Sequence, residues 1–167
     1  MDKNQAMVEF LLTCPDIQNS SLFFNFTDVL NKNNVSETDN PVKHFITEKD
    51  SVIKTYVDGS KLKQYTFTIA SYYSVAYNPI ILEGTSILSD ENMESMASVQ
   101  SILDWIDAQA DSHNYPDFGQ NCEIEDMSTL TTDPDIDGID TSVNPPIARY
   151  SIGVKVRYLD NSKRIWN

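Results

Sequence analysis

The most regular hydrophobic pattern in the chain lies between Ser89 and Ala110, where apolar residues recur at the spacing of an α-helix. We therefore expect an amphipathic helix that packs its apolar stripe on a sheet or on other helices. Ser89 can cap its N-terminus, and Asn114 and Pro116 predict that it ends near Asp111. The stripe consists of Met96, Val99, Leu103, Ile106 and Ala110.

Alternation of apolar and polar residues predicts strands in two other parts of the chain. Val52–Val57 and Leu62–Tyr72 flank Asp58-Gly59, a pair typical of a hairpin turn, so we expect a β-hairpin over Val52–Tyr72. In Tyr150–Tyr158 apolar residues again occupy every second position. This pattern predicts a strand with one buried and one solvated face.

Weaker patterns complete the order of elements. Ala6–Cys14 predicts a short helix that Pro15 ends, Leu22–Phe26 predicts a strand, and Asn31–Pro41 predicts a loop. Together the elements predict a single α+β domain over residues 1–167, with a mostly antiparallel sheet and helices packed on one face.

The interval Asn121–Pro146 is rich in acids and has no clear period. We expect a long acidic loop there, with a short strand as an alternative over Asn121–Met127. Because such a loop is unusually long for a compact domain, we also expect it to be mobile or extended in the isolated subunit and ordered against a neighbour.

The net charge of −13 is distributed unevenly. The 85 residues from Gln64 to Ala148 contain 15 of the 25 acids and no Lys or Arg. Such a surface repels nucleic acid phosphate. It can provide solubility, allow the chain to lie beside DNA without binding it, or form a charged head-to-tail contact between subunits. Bases return only near the end of the chain, at Arg149, Lys155, Arg157, Lys163 and Arg164.

Patterns for metal binding and catalysis are weak. Asp133-Pro-Asp-Ile-Asp-Gly138 resembles the start of a calcium loop, but Asn144 occupies the twelfth position, where such a loop needs a bidentate Glu. A solvated acidic loop is the simpler interpretation. His44 and His113 have no neighbouring nucleophile, and the five glycines are too scattered for a phosphate loop. We therefore expect no catalytic site, metal or cofactor.

Compartment signals are equally sparse. Cys14 and Cys122 belong to no Cys-x-x-Cys pattern, which favours reduced structural thiols. The polar start Met1-Asp-Lys-Asn-Gln5 is not typical of a signal peptide, and no apolar run is long enough to span a bilayer. The expectation is a soluble chain that is not secreted.

The order of the predicted elements, rather than any short motif, resembles the small tail-terminator or tail-completion proteins of tailed bacteriophages and related phage-tail-like particles. The resemblance covers nearly the whole chain. It rests on the opening helix Met7–Cys14, the hairpin Val52–Tyr72, the helix Asp90–Ala110, Tyr115-Pro-Asp-Phe-Gly119 leading into Glu123-Ile-Glu-Asp126, and the closing strand Ala148–Tyr158.

This resemblance implies a structural, non-enzymatic subunit that forms a ring, commonly a hexamer. The ring would cap the tail tube and present a docking face to the head connector. The implied partners are other copies of the chain, the tail tube protein and the head connector or neck protein, with DNA at most passing through the lumen and no membrane. The implied location is the head-proximal end of the virion tail, after synthesis in the host cytoplasm.

In such a ring we expect acids to line the lumen or docking face, and bases of the closing strand to reach a neighbour's acids. Trp105 lies off the helical stripe, so a second layer or a partner should cover it. The candidate interface or lumen residues are Trp105, Glu123, Glu125, Asp126, Asp133, Asp135, Asp137, Asp140, Arg149, Lys155 and Arg157.

Three other functions fit the same sequence features. The chain could be another neck or head-completion protein of the same particles. It could belong to a different class, the acidic DNA-mimic inhibitors, which act as monomers or dimers. A small hydrolase is the third alternative and would require a pocket.

Overall fold

The computed structural model describes residues 2–18, 21–24, 42–47, 50–74, 80–82, 85–87, 90–130, 136–140 and 147–165. The helices and strands of this part of the chain, in order, are α1 (Lys3–Leu11), α2 (Pro15–Gln18), β1 (Ser21–Phe24), β2 (Val42–Thr47), β3 (Ser51–Thr55), β4 (Lys61–Ser74), β5 (Ile80–Leu82), β6 (Thr85–Ile87), α3 (Asp90–Asp111), β7 (Cys122–Thr129), β8 (Ile136–Asp140) and β9 (Ile147–Asp160).

Two strands of 14 residues, β4 and β9, form the centre of the main sheet. They pair antiparallel along their whole length, from Lys61 opposite Asp160 to Ser74 opposite Ile147. The other side of β4 pairs with β2 and β3, and the other side of β9 pairs with β7 and β8. β1 joins β2 in the parallel sense, while β5 and β6 form a separate two-stranded sheet. The main sheet is therefore mostly antiparallel, as the sequence predicts.

Alternation along β4 and β9 directs one face of the sheet into the core. Paired residues share that face, as Phe67 and Val154 do, and the helices α1, α2 and α3 pack against it. Each large side chain that is fully buried contributes roughly 1.5–3 kcal/mol. The α+β fold with helices on one face is thus confirmed. The main contributors from the sheet and α3 are Tyr65, Phe67, Ile69, Tyr150, Ile152, Val154, Val156, Tyr158, Val99, Ile102, Leu103 and Ile106.

Helix α3 matches the predicted helix closely. Val99, Leu103 and Ile106 of the stripe are buried, and Met96 and Ala110 lie half-buried at its margins. The end at Asp111 is also confirmed. The proposed cap Ser89 lies outside the described residues.

The helix ends because the backbone turns into the left-handed region at His113, where φ is 54°. The amide of His113 donates to the carbonyl of Ala110, and the amide of Asn114 donates to that of Gln109. This pair of bonds is the Schellman arrangement, which usually places glycine at the left-handed position.

The face of the sheet opposite the helices is partly solvated, with buried apolar residues near one end. On β9, Arg157 is exposed, but Lys155 and Arg149 are only half-buried. Near the β8 end, Ala70, Tyr72 and Ile147 are buried on this face. The predicted solvated face of Tyr150–Tyr158 is confirmed, since none of its outward residues is buried; the buried apolar residues of this face lie beyond that segment.

The predicted loop over Asn121–Pro146 contains two strands. β7 fulfils the alternative prediction of a strand near Asn121–Met127, and β8 adds a strand of five residues, four of which pair with Ile147–Tyr150. The loop prediction is wrong for these segments because backbone pairing with β9 holds them despite their acids. Residues 131–135 and 141–146, together with Phe26 and Asn31–Pro41, lie outside the described residues.

No helix in the described ranges is both long and apolar enough to cross a lipid bilayer.

Replacing Leu103 by Ala should lower the free energy of unfolding by about 2–5 kcal/mol, because the substitution leaves a cavity beneath α3 in the core. Ser101→Ala, at an exposed position of the same helix, is the matched control and should change stability by less than about 0.5 kcal/mol. Urea denaturation followed by circular dichroism measures both. Equal stability of the two variants would contradict the packing of this stripe.

Candidate subunit interface

The hairpin of β3 and β4 carries an exposed apolar surface at its turn. Val57 is 88% exposed, Ile165 71%, Val52 50% and Ile53 46%. Tyr56, at the start of the turn, is also exposed. Exposed large apolar side chains thus occur along β3, in its turn and at Ile165, and such exposure can mark an interaction site. We call this surface the hairpin tip, defined by Val52, Ile53, Lys54, Tyr56, Val57 and Ile165.

The turn is held in a fixed shape by bonds within the chain. The Asp58 carboxylate accepts hydrogen bonds from the amide and the hydroxyl of Ser60, at 3.0 and 2.5 Å. Its second oxygen lies 2.9 Å from Nε of Arg164. The hydrogen bonds from Ser60, aided by the Arg164 guanidinium, lower the pKa of Asp58. The amide of Ile165 donates to the carbonyl of Asp58, so the end of the chain lies against the turn.

The surroundings of the hairpin tip are basic although the chain is strongly acidic. Residues 50–64 and 160–165 contain three acids, Asp50, Asp58 and Asp160, of which Asp58 pairs with Arg164 and Asp160 pairs with Lys63. They hold five bases, Lys54, Lys61, Lys63, Lys163 and Arg164. The Nζ atom of Lys54 lies 4.9 Å from the centre of the Tyr56 ring, which joins the charge to the apolar surface.

Beneath the tip, a cluster of polar side chains fastens α1 to the sheet. The Tyr158 hydroxyl lies 2.8 and 2.9 Å from the two carboxylate oxygens of Asp50. Lys3 of α1 lies 3.6 Å from the same carboxylate and stands over the Tyr158 ring. The Tyr65 hydroxyl donates to Asn4, also on α1, at 2.5 Å. These contacts fix the position of the helix relative to the base of the hairpin.

The same cluster does not have the electrostatics of an activated nucleophile. Burial raises the pKa of the Cys122 thiol, and burial also raises the pKa values of Tyr65 and Tyr158. Reactive thiols instead have lowered pKa values because nearby positive charge stabilises the thiolate. The cluster therefore supports the fold, and we assign it no catalytic step.

Lys63 and Asp160 form a partly buried ion pair across the first residues of β4 and the last of β9, with Nζ 2.7 Å from the carboxylate. The hydrogen bond to Asp160 raises the pKa of Lys63. Burial disfavours the charged carboxylate of Asp160, but hydrogen bonds from Lys63 and Ser162 outweigh it and keep its pKa well below the usual value. The pair thus stabilises the root of the hairpin near neutral pH.

A cleft lies on the opposite edge of the sheet, between the last turns of α3 and strand β7. Its cavity volume is about 670 Å³. The hydroxyl of Thr129 on β7 donates a hydrogen bond of 3.2 Å to the carboxylate of Asp107 on α3. This bond links the two walls of the cleft. We call it the acidic cleft; it is lined by Asp107, Ala110, Asp111, His113, Tyr115, Glu125, Asp126, Met127, Ser128 and Thr129.

The lining combines acidic side chains with apolar ones. Four of these ten residues are acids and none is Lys or Arg. Glu125 and Asp126 are exposed on β7, while Met127 between the walls is buried. A bulge at Glu125 interrupts the pairing of β7 with β9 and turns that side chain out of the regular alternation.

The residues predicted for the interface are dispersed in the structure. Glu125 and Asp126 line the acidic cleft, and Glu123 is exposed nearby on β7. Trp105 is half-buried, with its ring 5.2 Å from that of Phe10, so α1 is the second layer that covers it.

The predicted basic residues lie on a different surface from the cleft acids, except that Arg157 is the pairing partner of Asp126. Arg149, Lys155 and Arg157 share the outer face of β9, and Arg157 lies directly opposite Asp126 of the same subunit. Asp137 and Asp140 belong to β8, whereas Asp133 and Asp135 lie outside the described residues. The extended backbone of Ile136–Asp140 does not coil around an ion as a calcium loop does.

Two groups of residues in these surfaces were not predicted from the sequence as interface residues. Val52 and Val57 belong to the predicted hairpin, but alternation alone does not tell an exposed strand residue from a buried one. Asp107 and Asp111 follow from the predicted helix, since they lie on the polar side of its stripe, yet only the fold brings β7 beside them.

Among the described residues, no group of three or more His, Cys, Asp or Glu side chains has the arrangement of a metal site. Comparison with known proteins gives no further assignment, because no family model and no curated protein matches the sequence.

Replacing Gly59 by Ala should destabilise the chain more than replacing Gly119 by Ala. Both glycines have positive φ, 89° and 101°, so each substitution costs about 1–2 kcal/mol in backbone strain. A β-carbon at Gly59 would also overlap the carbonyl oxygen of Lys163, whereas one at Gly119 meets open space. The overlap should add roughly 1–3 kcal/mol in thermal or urea unfolding. Equal losses would show that the chain end does not pack on the turn.

Asp160→Asn should lower the free energy of unfolding at pH 7 by about 1–3 kcal/mol, because it removes the charged acceptor of Lys63. Since the pKa of Asp160 is lowered by folding, its contribution is complete above pH about 4 and is lost as pH falls further. The difference between wild type and variant should therefore shrink in urea titrations below pH about 4. Asp104→Asn, at an exposed site on α3, is the control. A difference independent of pH would contradict the ion pair.

Proposed function

We propose that the chain is a structural subunit that assembles head to tail into a ring, and that this ring terminates the tail of a bacteriophage or phage-tail-like particle. The observation that carries the proposal is the presence of two unlike surfaces on opposite edges of one sheet. The hairpin tip is apolar and basic, and the acidic cleft is concave and acidic. Rings need such pairs because each subunit meets its neighbours through two different surfaces.

The resemblance to tail-terminator and tail-completion proteins supports the choice of particle. It implies the order helix, hairpin, long helix and closing strand, and α1, β3–β4, α3 and β9 follow one another in that order. It also implies a hexamer that joins the tube to the head connector. The charge of −13 suits a ring through which DNA passes, because bases in the wall would bind phosphate and slow its movement.

A DNA-mimic inhibitor is the second candidate, and the acidic cleft is the observation that favours it. Asp107, Asp111, Glu125 and Asp126 gather negative charge in one place, as a protein that imitates phosphate must do. Such an inhibitor would act as a monomer or dimer and would not require the apolar hairpin tip. We therefore favour the ring.

Immunogold labelling of particles from cells that produce the chain tests this function. The label is expected at one end of each tail tube, next to the head, with the signal of several copies. A label along the whole tube, or particles without label, would contradict the proposal. A purified chain that remains a monomer or dimer and captures a nuclease or repressor would favour the DNA mimic.

A further inference from the structure

From the shapes and charges of the two surfaces we infer that the hairpin tip of one subunit docks in the acidic cleft of a second copy of this chain. This contact rests on the proposed function and specifies how its subunits meet. The occupant is another copy because the chain itself carries both halves of the contact. Near the tip, Lys54, Lys61 and Lys163 are not used in the ion pairs with Asp58 and Asp160, and they complement a cleft whose lining has four acids and no Lys or Arg.

The hairpin tip of a molecule cannot reach the acidic cleft of the same molecule. In the part of the sheet that carries both surfaces the strand order is β3, β4, β9, β7. The two edges are therefore three strand spacings apart, roughly 14 Å. Because the tip lies at one edge and the cleft at the other, contacts repeat from copy to copy in one direction.

The docking uses side chains rather than strand addition. Both edge strands carry a bulge, at Ile53 in β3 and at Glu125 in β7, where the pairing register shifts. Bulges at sheet edges interrupt the row of backbone groups that a further strand would need. A ladder between β3 of one copy and β7 of the next would therefore be broken on both sides.

Apolar contact supplies the affinity and charge sets the orientation. Val57 and Tyr56 project from the turn, and the cleft lining includes the half-buried apolar residues Ala110 and Tyr115 beside its acids. Exposed ion pairs contribute about 0–1 kcal/mol each, so Lys54 and its basic neighbours mainly speed association and select the partner surface. Added salt should consequently slow association.

The test is sedimentation velocity of the purified full chain and three variants, each checked for folding by circular dichroism. Val57→Asp disables the tip at a position that is 88% exposed, and the double variant Asp111→Lys with Glu125→Lys disables the cleft. Ala97→Glu adds a charge at an exposed position of α3 that lies in neither surface and serves as the control. Wild type should associate with rising concentration, and the tip and cleft variants should each weaken association roughly tenfold or more.

Mixing the tip variant with the cleft variant distinguishes a head-to-tail contact from a contact between two identical surfaces. The tip variant retains a working cleft and the cleft variant retains a working tip, so their mixture should form one-to-one dimers and nothing larger. Ala97→Glu should associate like wild type.

Four results would overturn the contact: a wild type that stays monomeric at the highest soluble concentration, unimpaired tip or cleft variants, a mixture without dimers, or loss of association in Ala97→Glu. These measurements use purified protein, so they are independent of whether the chain is found on a phage tail. Association through tip and cleft without tail labelling would contradict the proposed function alone.

Discussion

The antiparallel pairing of β4 with β9 is the constraint on which the rest of the structure depends. Its 14 residue pairs run from Lys61 and Asp160 to Ser74 and Ile147 without a break in register. β2 and β3 attach to one of these strands, and β7 and β8 attach to the other. A slip of one residue would turn the buried side chains of one of these strands away from α1 and α3. The ladder thus fixes the sheet and the layer of helices together.

The two surfaces that we assign to subunit contact follow from the ends of this ladder. At the Lys61 end, the ion pair with Asp160 and the packing of Lys163 on Gly59 hold the turn, while β3 leaves Val52 and Ile53 without cover. β7 follows the other edge of β9 and forms the cleft with α3. Because one ladder sets both edges, their separation and orientation are the same in every copy, as closure of a ring requires.

The fold could be predicted wherever burial produces a period in the sequence. The stripe of α3 and the alternation of β4 and β9 reflect a single buried side, so their type and limits follow from the residues. β7 and β8 could not be recognised as securely. They are short, acidic edge strands held mainly by backbone bonds to β9, and the bulge at Glu125 interrupts the alternation of β7.

The candidate interface was less predictable than the fold because it depends on residues distant in sequence. Ile165 lies at the turn through the bond from its amide to the carbonyl of Asp58, and Asp111 lines the same cleft as Glu125 because β7 pairs with β9. The sequence did indicate a charged head-to-tail contact, but it assigned the basic half to Arg149, Lys155 and Arg157. The fold offers the bases around the hairpin tip as an alternative, since Arg157 already faces Asp126 of its own subunit.

A cryo-electron microscopy reconstruction of the assembled oligomer tests the head-to-tail contact most directly. Subunits related by rotation about a single axis are expected, with Val57 of each copy seated between α3 and β7 of the next. Subunits paired about a two-fold axis through identical surfaces, or a ring whose hairpin tips point into solvent, would contradict it.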